Sequence, residues 1–184
     1  RTEGSVAIGT DALTALTTGS ANTAVGYQSL DANTTGQYNI AIGYSALTSE
    51  TDADKCIAIG YRALYTQNYS SGGDINNVAI GANAGYGITT GTDNVMIGTN
   101  AMSNIGQASG ANNVAIGTAA MKGAAGSVAS NDAQDNIAIG TTSLTLITTG
   151  DDNVCVGKNT GYKITTGSSN TFIGNNCGDG IDVE

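Results

Sequence analysis

The tetrapeptide Val-Ala-Ile-Gly, or a close variant of it, occurs ten times, ending at Gly9, Gly26, Gly43, Gly60, Gly81, Gly98, Gly117, Gly140, Gly157 and Gly174. The intervals are 17, 17, 17, 21, 17, 19, 23, 17 and 17 residues. Six are identical and three are longer, so one 17-residue unit with three insertions accounts for the series. A chain built this way folds by stacking copies of one small unit, because a single unit cannot bury its own apolar face.

Aligned on the motif glycine, the unit reads Asn-Val-Ala-Ile-Gly-x-x-Ala-Leu, a variable stretch, then Thr-Thr-Gly. The leading Asn is Asn22, Asn39, Asn77, Asn94, Asn113, Asn136, Asn153 and Asn170, with Ser5 and Cys56 in the other two copies. Thr-Thr-Gly closes five copies, at 17–19, 34–36, 89–91, 148–150 and 165–167. Val and Ile favour extended backbone. The glycine releases the chain into a turn, and Asn tolerates left-handed backbone and bonds to nearby main chain. Seventeen residues are too few for a strand, a packed helix and two loops. The expected fold is therefore all-β: a parallel β-solenoid of ten coils, spanning Ser5 to Gly178 within one repeat domain at 1–184. At a strand spacing of about 4.8 Å this makes a rod of roughly 50 Å.

Side chains alternate between the faces of a strand. Val6 and Ile8 share one face, which is expected to line the coil interior. The residue between them is apolar in every copy: Ala7, Ala24, Ala41, Ala58, Ala79, Met96, Ala115, Ala138, Cys155 and Phe172. A strand apolar on both faces is buried on both. The Ala face is therefore expected to meet another copy of the chain, in a homo-oligomer packed along the rod with closed symmetry.

Composition agrees with a thin core. The chain has 27 Gly, no Pro, no Trp and one Phe, and 11% of its residues are charged. The hydrophobic content of 40% and the strict period argue against disorder. A net charge of −9 disfavours nucleic acid and anionic lipid. No apolar run approaches the ~18 residues of a membrane span, so neither class of partner nor membrane insertion is expected.

The repeats Ser5-Val-Ala-Ile-Gly9 and Asn-x-Ala-Ile-Gly resemble the head repeats of trimeric autotransporter adhesins of the YadA type. The longer pattern, Asn22-Thr-Ala-Val-Gly-Tyr-Gln-Ser-Leu30 with Thr34-Thr-Gly36, is similar to repeats of bacteriophage tail fibres and related bacterial surface proteins. The resemblance runs from Ser5 to about Gly178. It implies a left-handed parallel β-roll, three chains side by side, and an extracellular role in attachment, on a virion tail fibre or a cell surface. The period departs from the adhesin heads, which repeat at about 14 residues, and an intertwined triple β-helix is the alternative geometry. The chain does not start with Met, carries no signal peptide, and has no room at 1–4 or 179–184 for a solenoid cap; it reads as a fragment of a longer fibre.

No catalytic constellation is present. Without His there is no Ser/His or Cys/His pair and no imidazole ligand. Acidic pairs such as Asp151-Asp152 sit in turns, and no phosphate loop follows a strand. No cofactor is expected. Calcium is the one metal with a case, because Asp52, Asp54, Asp93, Asp132, Asp135, Asp151 and Asp152 fall at turns, although the calcium-binding nonapeptide is absent. Cys56, Cys155 and Cys177 fit no zinc spacing and read as small, buried or half-buried thiols, an intermolecular disulfide being the alternative.

Two features are suited to binding. Tyr27, Tyr44 and Tyr61 follow the motif glycine in three successive coils and are expected to stack as a ladder, which either stabilises the stack or offers sugar rings a flat face. The insertions at 65–75, 103–111 and 122–135 map to surface loops that could contact a cell-surface glycan or host receptor. The function expected is a structural or adhesive fibre segment. The rivals are an ice-binding β-solenoid and a self-assembling extracellular filament. Adjacent Thr-Thr pairs point to opposite faces and so do not make one flat Thr array. Asn33 and Asn68 lie in glycan-acceptor patterns.

Overall fold

The computed structural model describes residues 4–103, 109–123 and 132–179. These are all β and turn, with no helix. The strands are β1 (Val6–Ile8), β2 (Thr23–Val25), β3 (Ile40–Ile42), β4 (Ala53–Asp54), β5 (Ile57–Ile59), β6 (Gly73–Asp74), β7 (Val78–Ile80), β8 (Val95–Ile97), β9 (Val114–Ile116), β10 (Ile137–Ile139), β11 (Val154–Val156) and β12 (Thr171–Ile173). Ten of them, one per motif, form a single parallel sheet in chain order, and β4 pairs with β6 in a small second sheet. The architecture is a parallel β-solenoid of about nine turns.

Register is the same at every step: Ala24 lies opposite Ala7 and Ala41. The 21-residue step is absorbed with no slip, Ala58 lying opposite Ala79. The 23-residue step is absorbed likewise, Ala115 lying opposite Ala138.

After each motif glycine the chain makes two successive turns. In the third coil Ala46 N–H bonds back to the Gly43 carbonyl at 3.4 Å, and Leu47 N–H crosses to the Ala63 carbonyl of the next coil at 2.9 Å. Ser45 and Leu47 hold φ of 49° and 53°, in the left-handed region. Non-glycine residues two or four positions after the motif glycine hold positive φ in coil after coil, and a further set, Ala21, Tyr38 and Lys55 among them, stands just before the leading residue of the motif, making 26 among the described residues. Each such residue costs about 1–2 kcal/mol. The cost is tolerated because the conformation aims N–H groups at carbonyls of neighbouring coils. At the motif glycine itself substitution is blocked twice: Gly81 has φ 136°, and a Cβ there would lie 2.7 Å from the Gly98 carbonyl.

The core is one side chain thick. Ala24, Ala41, Ala58, Ala79, Ala115 and Ala138 are buried within the single chain, facing Leu30, Leu47, Leu64 and Leu144 from the turns. This reverses the expected sidedness. Val6 and Ile8 are 45% and 59% exposed, and the Val and Ile positions of the other strands are half-buried or exposed. The reason is width: a strand facing a close turn leaves room for a methyl against a Leu, but not for two β-branched side chains per coil. Ala7, in the first strand, is exposed. Packing compensates across the core, as close-packed interiors require. Where the turn residue is Gly85, Gly161 or Gly178 instead of Leu, the space is taken by Met96, Cys155 and Phe172, whose atoms lie 2.7–2.9 Å (Met96 2.8 Å) from where a Cβ would stand.

Candidate functional site

The face that the strands turn outward carries Val or Ile at 18 of 20 positions, with Thr23 and Thr171 as the exceptions. Ile8, Ile42, Ile80, Ile137, Ile139 and Ile173 are among its exposed members. No charged side chain interrupts it. Two residues wide and ten strands long, it covers on the order of several hundred Å², more than scattered surface residues account for.

Behind this face runs an asparagine ladder. Asn22, Asn39, Asn77, Asn94, Asn113, Asn136 and Asn153 are all fully buried. Each Nδ2 closes its own coil, as when Asn22 donates to the Gly36 carbonyl at 2.7 Å and Asn153 to the Gly167 carbonyl at 2.9 Å. Most of the Oδ1 atoms accept the backbone N–H of the next coil: Asn39 N–H reaches Asn22 Oδ1 at 2.9 Å, and Asn94 N–H reaches Asn77 Oδ1 at 2.9 Å. Cys56 interrupts the series. The amide that its coil lacks enters from Gln67, also buried, whose Oε1 accepts from Asn77 Nδ2 at 2.8 Å and whose Nε2 donates to the Thr89 carbonyl at 3.0 Å.

The tyrosine ladder forms as expected. Ring centroids are 5.1 Å apart for Tyr27 and Tyr44, and 5.5 Å for Tyr44 and Tyr61, with planes inclined by 20° and 22°. All three rings are exposed. A second stack, Tyr65 on Tyr86 at 5.2 Å and 3°, stands four positions further along the coil. The Arg62 guanidinium joins the two, 5.2 Å from the Tyr61 ring centre and 5.1 Å from that of Tyr65. Aligning the coils would have revealed this second column, since Tyr65 and Tyr86 both lie five residues after a motif glycine.

The insertion at 65–75 is anchored by a residue that sequence reasoning missed. Glu50 is fully buried. Its Oε1 accepts the backbone N–H groups of Thr51, Asp52 and Ala53 at 2.8, 3.0 and 2.9 Å, and its Oε2 accepts that of Tyr69 at 3.1 Å. The β4–β6 pairing and an exposed Lys55–Asp74 ion pair at 2.5 Å complete the anchor. The other two insertions, 103–111 and 122–135, lie partly outside the described residues, 104–108 and 124–131 being those not described.

Cys56 and Cys155 are buried and Cys177 is half-buried; none is in a disulfide. Burial pushes the Cys56 thiol up to about 12, with the Glu50 carboxylate adding to it, and burial does the same at Cys155, also to about 12. Such thiols are protonated at neutral pH and poor nucleophiles. Among the described residues no three Cys, Asp or Glu side chains converge on a metal-sized site, and no helix is long and apolar enough to cross a membrane. Asn33 is fully buried, with Nδ2 on the Gly36 carbonyl at 3.0 Å, so it offers no glycan acceptor, whereas Asn68 is exposed.

No protein-family model matches the chain, and no curated protein or solved structure is significantly similar to it.

Proposed function

We propose that the chain is a structural, adhesive segment of an extracellular fibre, of the tail-fibre or surface-appendage kind, assembled from parallel copies of itself. The observation that carries this reading is the outward face of Val and Ile. Its occupant is a second copy of the same chain, and a third where the symmetry closes as a trimer. The face is continuous, uncharged and β-branched over ten strands in register. Identical rods set side by side present identical faces, so the match is built in. The interface residues are then the outward Val and Ile, not the Ala of the expected interface, which fills each coil's own core.

The repeat resemblance supports the same reading, with attachment to a cell-surface glycan or host receptor as the role. The threonines weigh against the ice-binding alternative. Thr17 and Thr148 spend their hydroxyls on the carbonyls of Thr34 and Thr165 in the next coil, each at 2.9 Å, so the Thr pairs brace the corner.

The test is a double substitution, Ile42→Lys with Ile80→Lys. Both side chains are exposed in the single chain, so the coils stay intact. The expected result is a folded species of one-chain mass with an unchanged far-ultraviolet circular dichroism spectrum. An assembly that survives both lysines sinks the reading.

A further inference from the structure

The second tyrosine stack ends abruptly, and what it leaves is a built recess. Three consecutive coils place Arg62, Asn83 and Asn100 two residues after the motif glycine, and Tyr65, Tyr86 and Ser103 five residues after it. One face of Tyr86 is covered by Tyr65. In the next coil the column continues with Ser103, so the other face has no ring against it. A cavity of about 270 Å³ opens at this point, lined by Arg62, Asn83, Tyr86, Asn100 and Ser103.

Two polar atoms in its wall have no partner among the described residues. Ser103 is 4% exposed and its hydroxyl makes no hydrogen bond, and neither does the buried Nε of Arg62. Unsatisfied groups of this kind are rare in a folded chain and call for an explanation. The Arg62 guanidinium lies over the rings of Tyr61 and Tyr65 and, among the described residues, is paired with no carboxylate, in a chain that carries 15 acidic residues against six basic ones. Asn83 and Asn100 are joined by one long contact of 3.4 Å, which leaves most of their amide capacity unused.

A second recess lies near the last described coil. A cavity of about 300 Å³ is lined by Asn159, Tyr162 and Asp179, which occupy the same two columns. It too forms beside a tyrosine whose neighbour in the next coil is not aromatic. Arginine is present only in the first recess.

We propose that the recess at Arg62 binds a carboxylated sugar residue, such as a uronic acid, within a surface polysaccharide. The Tyr86 face takes the C–H face of the pyranose ring. Arg62 presents its planar fork to the carboxylate. Asn83, Asn100 and the orphaned Ser103 hydroxyl meet ring hydroxyls. An acidic peptide would use Arg62, but it would leave the flat tyrosine face and the two amides without a role. This deepens the attachment half of the proposed function and rests on that reading, while leaving assembly aside.

The experiment is calorimetric titration of the whole chain with a galacturonate trisaccharide, its methyl ester, a neutral glucose trisaccharide and a glutamate-rich peptide. Saturable binding of the galacturonate alone is expected. It should weaken at least tenfold in Arg62→Gln and in Tyr86→Leu, weaken less in Arg62→Lys, and stay unchanged in Lys163→Ala, which removes an exposed cation elsewhere. Circular dichroism confirms that each variant is folded, and Arg62→Lys keeps the test decisive if Arg62→Gln is not. Equal binding of ester or neutral sugar, preference for the peptide, no saturable binding, or loss in Lys163→Ala each overturns the proposal. A trimer that binds no galacturonate overturns the recess alone. A monomer that binds it overturns the assembly alone.

Discussion

Asn113 Oδ1 accepts the backbone N–H of Asn136 at 3.1 Å, although 23 residues separate the two. Elsewhere in the ladder the same bond joins residues 17 apart, as between Asn136 and Asn153 at 3.0 Å, or 19 apart, as between Asn94 and Asn113 at 3.0 Å. The buried amide, not the length of the intervening chain, therefore holds each coil at its register, and an insertion changes only the perimeter. Asn113→Ala removes this acceptor together with the Nδ2 bond to the Ala133 carbonyl at 2.9 Å. Two buried backbone groups are orphaned, which predicts a loss of about 2–4 kcal/mol in urea unfolding. A loss below about 0.5 kcal/mol would show the ladder to be incidental.

Glu50→Ala orphans the four N–H groups that its carboxylate now accepts. The expected cost is about 3 kcal/mol or more, and it should be local first. Hydrogen exchange should accelerate at Ala53 and Tyr69 before it changes in β8. Uniform exchange across both regions would mean that the insertion and the coils unfold as one unit.

Ala21 is exposed and has φ 55°. Ala21→Gly removes the Cβ clash of left-handed backbone at the expense of some chain entropy, a net gain of up to about 1 kcal/mol. Gly81→Ala places a Cβ against the Gly98 carbonyl instead and should prevent folding of the central coils. The melting temperatures of the two variants should move in opposite directions.

The buried thiols give stability a pH dependence at the alkaline end. Cys56 and Cys155 titrate at about 12 when folded and near 9 when unfolded. Below pH 9 the thiols are neutral in both states and their contribution is fully present. As pH rises toward 12 only the unfolded chain ionises, and stability falls by about 1.4 kcal/mol per unit and thiol. Cys56→Ala should flatten the decline between pH 9 and 11 in urea titrations. At pH 8 a thiol reagent should label Cys177 first and the other two only on unfolding; fast labelling of all three would contradict the burial.

Much of this was legible in the sequence. The ten glycines gave the stacking, the Val and Ile gave the strands, and the position of Tyr27, Tyr44 and Tyr61 gave their ladder. Sidedness was not legible, because alternation says which residues share a face and not which face is inward. Val6 and Ile8 look like core residues, yet the partner across the coil is Leu in left-handed backbone, as at Leu47, a conformation that a leucine does not announce. Glu50, Gln67 and Arg62 were missed for another reason. Each is the odd residue in its column, and its role depends on what the neighbouring coils place beside it.

The central claim is that the Val and Ile face is covered by copies of the same chain. Light scattering of the intact chain over a wide concentration range tests it most directly. A mass of three chains that does not change with concentration is the predicted result, and a one-chain mass at every concentration would contradict it.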